Sequence, residues 1–246
     1  NLAVVAWNQA VLYPDGAASD AVRVKPRLRL PPGWSFATAP TPSAPAGEAL
    51  EFAPVSLTTL VDSPVLAGRW FRTVELGADP AVPERLDMAC DSEAGLAIPA
   101  DQVTALRRLM LEARALFGGR HYRHYDFLLS MSEHIAHFGL EHHQSSDDRV
   151  HERIWLDADT RRSHSNLLAH ELVHSWNGKF RRPADLWAAN YEGPQRGSLL
   201  WVYEGMTQYW GAILTARSGL WDRQQALDSL AMTAATYQAR VGREWR

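Results

Sequence analysis

His170-Glu171-Leu172-Val173-His174 constrains this chain more than any other stretch, because it asks for a helix with two imidazoles on one face. Residues i and i+4 of an α-helix share a face, so His170 and His174 can point at one ion. The flanking residues suit such a helix: Ser163 or Ser165 as cap, Leu167, Leu168, Leu172 and Val173 as an apolar stripe, and Asn177-Gly178 as a stop. Glu171 sits about a third of a turn from His170, where it need not bind the ion and can take a proton from a water beside it. Two histidines leave a catalytic zinc site one protein ligand short. Leu199 to Arg217 reads as a second helix ending at Gly219, and Glu204 within it supplies the third. Trp201, Met206, Tyr209, Trp210 and Ile213 make this helix largely apolar, so we expect it to be buried, where a lone carboxylate is costly and a cation would neutralise it. Two histidines on a helix can also be ordinary hydrogen-bonded residues, but the acid in the second helix favours one zinc ion held by His170, His174 and Glu204, with Glu171 as general base.

Four segments carry a resemblance. They are Leu168-Ala-His-Glu-Leu-Val-His-Ser-Trp-Asn177, Leu200-Trp-Val-Tyr-Glu-Gly-Met-Thr-Gln-Tyr209, Phe138-Gly-Leu-Glu-His142 and, more weakly, Tyr13-Pro-Asp-Gly16. On these the chain resembles the glycyl aminopeptidase family of gluzincin zinc metallopeptidases, whose full-length members often carry a C-terminal PDZ domain. The resemblance implies a β-rich N-terminal domain, a thermolysin-like catalytic domain, and removal of N-terminal residues, Gly and Ala preferred, from peptides with a free N-terminus. It also implies that Gly139 and Glu141 line the cleft, with Glu141 receiving the substrate's α-amino group. A carboxylate there pairs with an ammonium and fixes how many residues fit before the metal. Without the resemblance, Gly139 to His142 reads as a polar surface loop. A zinc endopeptidase would need no amine anchor, and a catalytically silent peptide-binding member would not require Glu171.

The pattern departs from the family at two points. The resemblance implies a tyrosine that stabilises the tetrahedral oxyanion, a contribution of typically about 10² to 10³ in rate. No motif after Glu204 supplies it; Tyr237 is present without support, and we expect the family's tyrosine beyond Arg246. A carboxylate one turn after the third ligand often orients a zinc-bound histidine; here that position is Gln208, whose carbonyl can accept the imidazole N–H, with Asp185 and Asp222 as alternatives. His134, His137, His142, His143 and His151 crowd eighteen positions, yet their spacings fit no closed zinc pattern, so we read them as solvated or cleft-lining.

The 246 residues carry 46% hydrophobic and 22% charged residues and a net charge of −3, enough for a sizeable core and without an electrostatic case for nucleic acid or anionic membrane. Cys90 is alone, which excludes an intrachain disulfide. The chain begins at Asn1 without Met and stops at Trp245-Arg246, so we read it as partial, and periplasmic or secreted is only an expectation. Residues 1–93 hold most of the prolines; Val4 to Trp7, Val22 to Lys25, Arg27 to Leu30 and Arg69 to Val74 read as strands, Ala39 to Gly47 as loop. From Pro99 the pattern changes: Asp101 caps a helix that runs to Phe117 and ends at Gly118-Gly119, then Tyr125 to Met131 and Arg153 to Asp157 read as strands. The expected fold is α+β: a β-sandwich-like domain over 1–93, then part of a thermolysin-like catalytic domain over 94–246, truncated at its C-terminus.

Overall fold

The structure, a computed structural model, describes residues 1–46 and 49–241; Gly47, Trp245 and Arg246 lie outside the described residues. Its first part holds β1 (Leu2–Val5), β2 (Arg23–Val24), β3 (Arg27–Arg29), β4 (Ser35–Ala37), β5 (Pro42–Ala46), β6 (Ala49–Phe52), β7 (Val55–Ser56), α1 (Leu57–Val61) and β8 (Val65–Gly68). The chain continues through β9 (Trp70–Glu75), β10 (Glu84–Cys90), α2 (Ala100–Phe117), β11 (Tyr125–Met131), β12 (Phe138–Glu141) and β13 (Ser145–Val150). Four helices follow: α3 (Ala158–His164), α4 (Leu167–His174), α5 (Leu200–Ser218) and α6 (Arg223–Gln238). This is a mixed fold with a β-rich N-terminal part. Among the described residues no helix is long and apolar enough to cross a membrane.

Sheets stack in the first part and continue into the second. β1, β8 and β4 form one antiparallel sheet; β3, β6 and β5 form another, and β2 pairs with β7. Successive strand residues face opposite ways, and β8 uses both of its faces. Val65 packs with Leu28 and Phe52 of the β3-β6-β5 sheet. Its neighbour Leu66 packs with Ala89 and Leu128 of the next sheet. That next sheet has five strands in the order β12-β13-β11-β10-β9, with β11 parallel to both neighbours and the two edge strands antiparallel. Strands from both sides of residue 93 share it, so hydrogen bonding does not divide the chain there.

All seven residues of β11 are buried, as a central parallel strand covered on both faces requires. Leu128 faces the N-terminal sheet, while Tyr125, Phe127, Leu129 and Met131 face the main core. That core is closed by Leu106, Leu109 and Met110 of α2, Leu168, Leu172 and Val173 of α4, and Leu214 of α5. α2 and α5 stop at Gly118 and Gly219, where the sequence places their ends.

Five local expectations are corrected. Asp101 lies inside the first turn of α2, whose N-cap is Pro99. Ser163 and Ser165 do not cap α4; their hydroxyls bond back to the carbonyls of Thr160 and Arg161 in α3, and α4 starts at Asn166 without a side-chain cap. The Pro-rich segment expected as loop contains β5, which the prolines do not prevent because β5 lies at the edge of its sheet. Arg153 to Asp157 is a turn before α3, not a strand; Ile154 and Trp155 are buried, so their hydrophobicity marks core and not extended backbone. Gly139 to His142, which without the resemblance reads as a polar surface loop, overlaps strand β12 instead, and Ser145 to Val150 forms a further strand.

If the N-terminal and five-stranded sheets share one core through β8 and β11, Leu66→Ala and Leu128→Ala each cost about 2–5 kcal/mol. Their double variant costs less than the sum by about 0.5 kcal/mol or more, because the two side chains touch one cluster. Urea denaturation of the four proteins measures this; a strictly additive cycle would mean that the two sheets are stabilised independently.

Candidate metal centre

α4 turns its apolar side to the core and leaves His170 and His174 on the side that faces α5. The two helices pack closely at Gly211, where a Cβ would come within 3.0 Å of the His170 Cα. This approach brings Glu204, seven positions before Gly211 on α5, to the two imidazoles. His174 Nδ1 lies 3.1 Å from the Asn177 carbonyl, which can only accept, so Nδ1 carries the proton and Nε2 keeps its lone pair. His170 Nδ1 lies 3.1 Å from Gln208 Oε1 and is fixed in the same way. Asp185 and Asp222 do not reach the histidines: one accepts from Ser198, the other caps α6.

The two Nε2 atoms are 3.1 Å apart, and each is 3.4 Å from Glu204 Oε2. Three electron-rich atoms with no proton between them repel one another unless a cation sits among them. A tetrahedral zinc with ligands at about 2.0–2.2 Å has ligand–ligand edges of about 3.3–3.6 Å, close to this triangle. The residues present therefore fit such an ion. Glu141, Glu171 and His174 also bring ligand atoms within 4.8 Å of one another. That second group is the weaker claimant, because Glu141 already accepts from the Tyr203 hydroxyl and Glu171 is packed against β12.

Glu204 corrects an expectation. Its side chain is half exposed, and so are Trp201 and Tyr209 on the same helix; Met206 is exposed as well. The face of α5 that is buried carries Tyr203, Thr207, Gly211, Leu214, Thr215 and Ser218, and its Thr, Gly and Ser residues are short enough for close packing against α4 and α2. The reason to place a cation beside Glu204 is the triangle of ligand atoms, not burial of the helix.

Glu171 lies against Gly139, where a Cβ would meet its Oε1 at 2.0 Å. Burial pushes the Glu171 carboxyl up to about 9, and the carboxyls of Asp148, Glu141 and Glu204 add to this while Lys179 opposes it. A bound cation acts in the opposite direction. Gly139 and Glu141 belong to edge strand β12, not to a loop. Burial alone would raise the Glu141 carboxyl, but Lys179 and the hydrogen bond from Tyr203 hold it below the usual range. Tyr203 also lies over His174, ring centroids 4.6 Å apart, and its ring occupies the space where Gly178, at φ +141°, has no side chain.

A cleft of about 550 Å³ opens here, lined by Asp62, Glu141, Lys179, Tyr203 and Glu204 among others. Two of these had no signal in the sequence. Asp62 follows α1 in the N-terminal part and accepts from the His143 backbone N–H at 2.8 Å and from Lys179 at 3.1 Å. It also contacts both His142 and His143, and these partners outweigh its burial to hold the carboxyl well below its usual range. Of the crowded histidines, His142 and His143 thus line the cleft, while His137 and His151 lie together elsewhere. Tyr237 is exposed on α6 under Arg240 and is not among the residues lining the cleft.

Comparisons with known proteins point one way. A family model described as M61 glycyl aminopeptidase matches residues 163–246, and one described as the Peptidase M61 N-terminal domain matches residues 1–69. No curated protein matches the chain. Among solved structures, an aminopeptidase N family protein from Idiomarina loihiensis superposes with a TM-score of 0.72 at 22% identity, over 92% of this chain and 39% of that one. An M1 zinc metallopeptidase from Deinococcus radiodurans gives 0.53 at 20% identity, over 92% and 47%. A mutant of that enzyme bound to Tyr-Ser-Ala substrate gives 0.52 at 19% identity, over 90% and 46%. At these identities the likeness is one of fold, and the chain spans less than half the length of each of these structures.

Gly-to-Ala changes where the backbone tolerates them usually stabilise by about 0.4–1 kcal/mol. Gly139→Ala is expected to destabilise instead, because its methyl group displaces the Glu171 carboxyl. In a Glu171→Ala background the same change becomes neutral or stabilising. Thermal denaturation of the four proteins reads this sign reversal, and its absence would mean that Gly139 is not where Glu171 rests.

Proposed function

Because the chain belongs to the M61 glycyl aminopeptidase family, we propose that it works as a zinc-dependent aminopeptidase, cutting the first peptide bond of peptides that begin with a small residue such as Gly or Ala. The observation that carries this reading is the convergence of His170 Nε2, His174 Nε2 and Glu204 Oε2 beside a cleft lined by Glu141 and Glu204, with the buried Glu171 close to His174 and Glu141. The family's description favours glycine, and the Tyr-Ser-Ala complex of the Deinococcus enzyme suggests short peptides as the substrate class. A division into a β-rich N-terminal part and a metallopeptidase part belongs to the same reading, with the boundary nearer residue 69 than 93, since β9 and β10 hydrogen-bond into the five-stranded sheet.

In this mechanism His170, His174 and Glu204 hold one zinc ion. When bound, zinc supplies Lewis acidity, polarising the scissile carbonyl and lowering the pKa of water towards neutrality. Glu171 takes the proton from the attacking water as its oxygen adds to the carbonyl carbon. The same carboxyl then returns a proton to the departing amine nitrogen as the C–N bond breaks. Gly139 leaves room for Glu171 to do this from a fixed position. Glu141, oriented by Tyr203, pairs with the substrate's ammonium and sets the first peptide bond opposite Glu171. Gln208 and the Asn177 carbonyl hold the two imidazoles in the tautomer that presents Nε2.

Elemental analysis is expected to find one zinc at this centre, lost in His170→Ala and Glu204→Ala. Glu171→Gln keeps the metal and loses roughly 10²- to 10⁴-fold in kcat on Gly- and Ala-anilides, the usual weight of a general base. Full zinc in both ligand variants would overturn the assignment.

The free N-terminus is tested separately. Glu141→Gln is expected to cost about 1.5–3 kcal/mol in kcat/KM on free-amine substrates, the range for a hydrogen bond to a charged group. N-acetylated peptides should be cut poorly by the parent chain. Equal kcat/KM on acetylated and free peptides would mark an endopeptidase instead.

A further inference from the structure

We propose that Glu133, His137 and His151 form a second site for a divalent transition-metal ion, separate from the His170 centre. One ligand atom from each of the three side chains lies within 4.8 Å of the others. They come from the ends of three neighbouring strands: Glu133 just after β11, His137 just before β12 and His151 just after β13. Their sequence spacing shows no metal pattern because the sheet, and not a helix or a short loop, brings them together.

The imidazoles are set up to bind. His137 Nε2 lies 2.8 Å from the Ser132 carbonyl, so that nitrogen carries the proton and Nδ1 keeps a lone pair with no hydrogen-bond partner among the described residues. A ring N–H tied to a backbone carbonyl is the arrangement that orients metal-bound histidines. His151 Nδ1 meets the Glu133 carboxylate at 2.9 Å. The His137 and His151 rings are 4.1 Å apart at 69°, much like the 4.8 Å and 78° of His170 and His174. His164 stands edge-on to His151 at 5.2 Å, a further imidazole beside the group.

The chemistry selects the ion. Two imidazoles and one carboxylate suit Zn²⁺, Ni²⁺ or Cu²⁺ over Mg²⁺ or Ca²⁺, which take oxygen ligands. Glu133 is half exposed, so water completes the coordination and the side chains have room to close the last fraction of the triangle. Binding ties the start of edge strand β12 to the ends of β11 and β13. The site requires nothing of the His170 centre, and His170→Ala isolates it.

The test is a Zn²⁺ titration of the full chain and of its His170→Ala variant by calorimetry, with thermal denaturation alongside. Two equivalents are expected in the parent and one, the weaker, in His170→Ala, with a rise in Tm that excess Mg²⁺ does not reproduce. Adding His137→Ala and His151→Ala should abolish that remaining equivalent. If His170→Ala takes up no zinc at millimolar concentration, or if the equivalent survives loss of both His137 and His151, the site does not exist. A measurement that leaves these residues intact guards against misfolded variants: in His170→Ala, paramagnetic Ni²⁺ should broaden the ring signals of His137 and His151, and broadening confined to other histidines overturns the proposal.

Discussion

Mutual repulsion among three lone-pair-bearing atoms is the constraint on which this site is built. His170 Nε2, His174 Nε2 and Glu204 Oε2 stand 3.1 to 3.4 Å apart with their protons committed elsewhere. Such an arrangement gains nothing for the chain by itself. It persists because α4 and α5 are pressed together for other reasons: an apolar core beneath α4, short side chains along the buried face of α5, and a glycine at their closest approach. Scaffold packing thus sets the spacing of these three atoms, and under the proposed zinc reading that is the preorganisation a metal centre requires.

Depth in the fold follows the same logic. β11 is buried on both faces, and everything that positions chemistry is one layer away from it: α4 on one side, β13 and then β12 along the sheet. The residues that touch the cleft sit on α5, on β12 and β13, and on the segment around Lys179 after α4, with Asp62 reaching in from the N-terminal part. Asp62 joins that part to His143 and Lys179 through bonds of 2.8 and 3.1 Å, so the wall of the cleft is shared between segments far apart in sequence.

What could be read from the sequence depended on whether chemistry and burial agreed locally. α2, β11 and α5 were legible because their periodicity or apolar run was strong and glycines followed both long helices. β13 was not, since Ser145-Ser-Asp-Asp-Arg-Val150 looks like a loop; it is buried with part of its polarity paired within the strand, Ser146 on Asp148 and Arg149 on Asp147. The failure on α5 ran the other way, with Trp201 and Tyr209 outside and threonines inside, because closeness between helices selects for small size before hydrophobicity. The motif pair named His170, Glu171, His174 and Glu204, while Lys179 and Asp62 carried no pattern and became visible only when distant segments met. Glu133 with His137 and His151 is the same case.

Three glycines recur wherever the reactive groups are held: Gly139 under the Glu171 carboxyl, Gly178 under the Tyr203 ring and Gly211 against the backbone of His170. None of them has any chemistry of its own. Anyone grafting this arrangement onto another scaffold by copying only His170, Glu171, His174 and Glu204 would obtain the same functional groups on helices unable to approach each other, over a strand unable to accept the carboxyl. The transferable unit is larger than the list of reactive side chains, and part of it consists of places where a side chain has been left out.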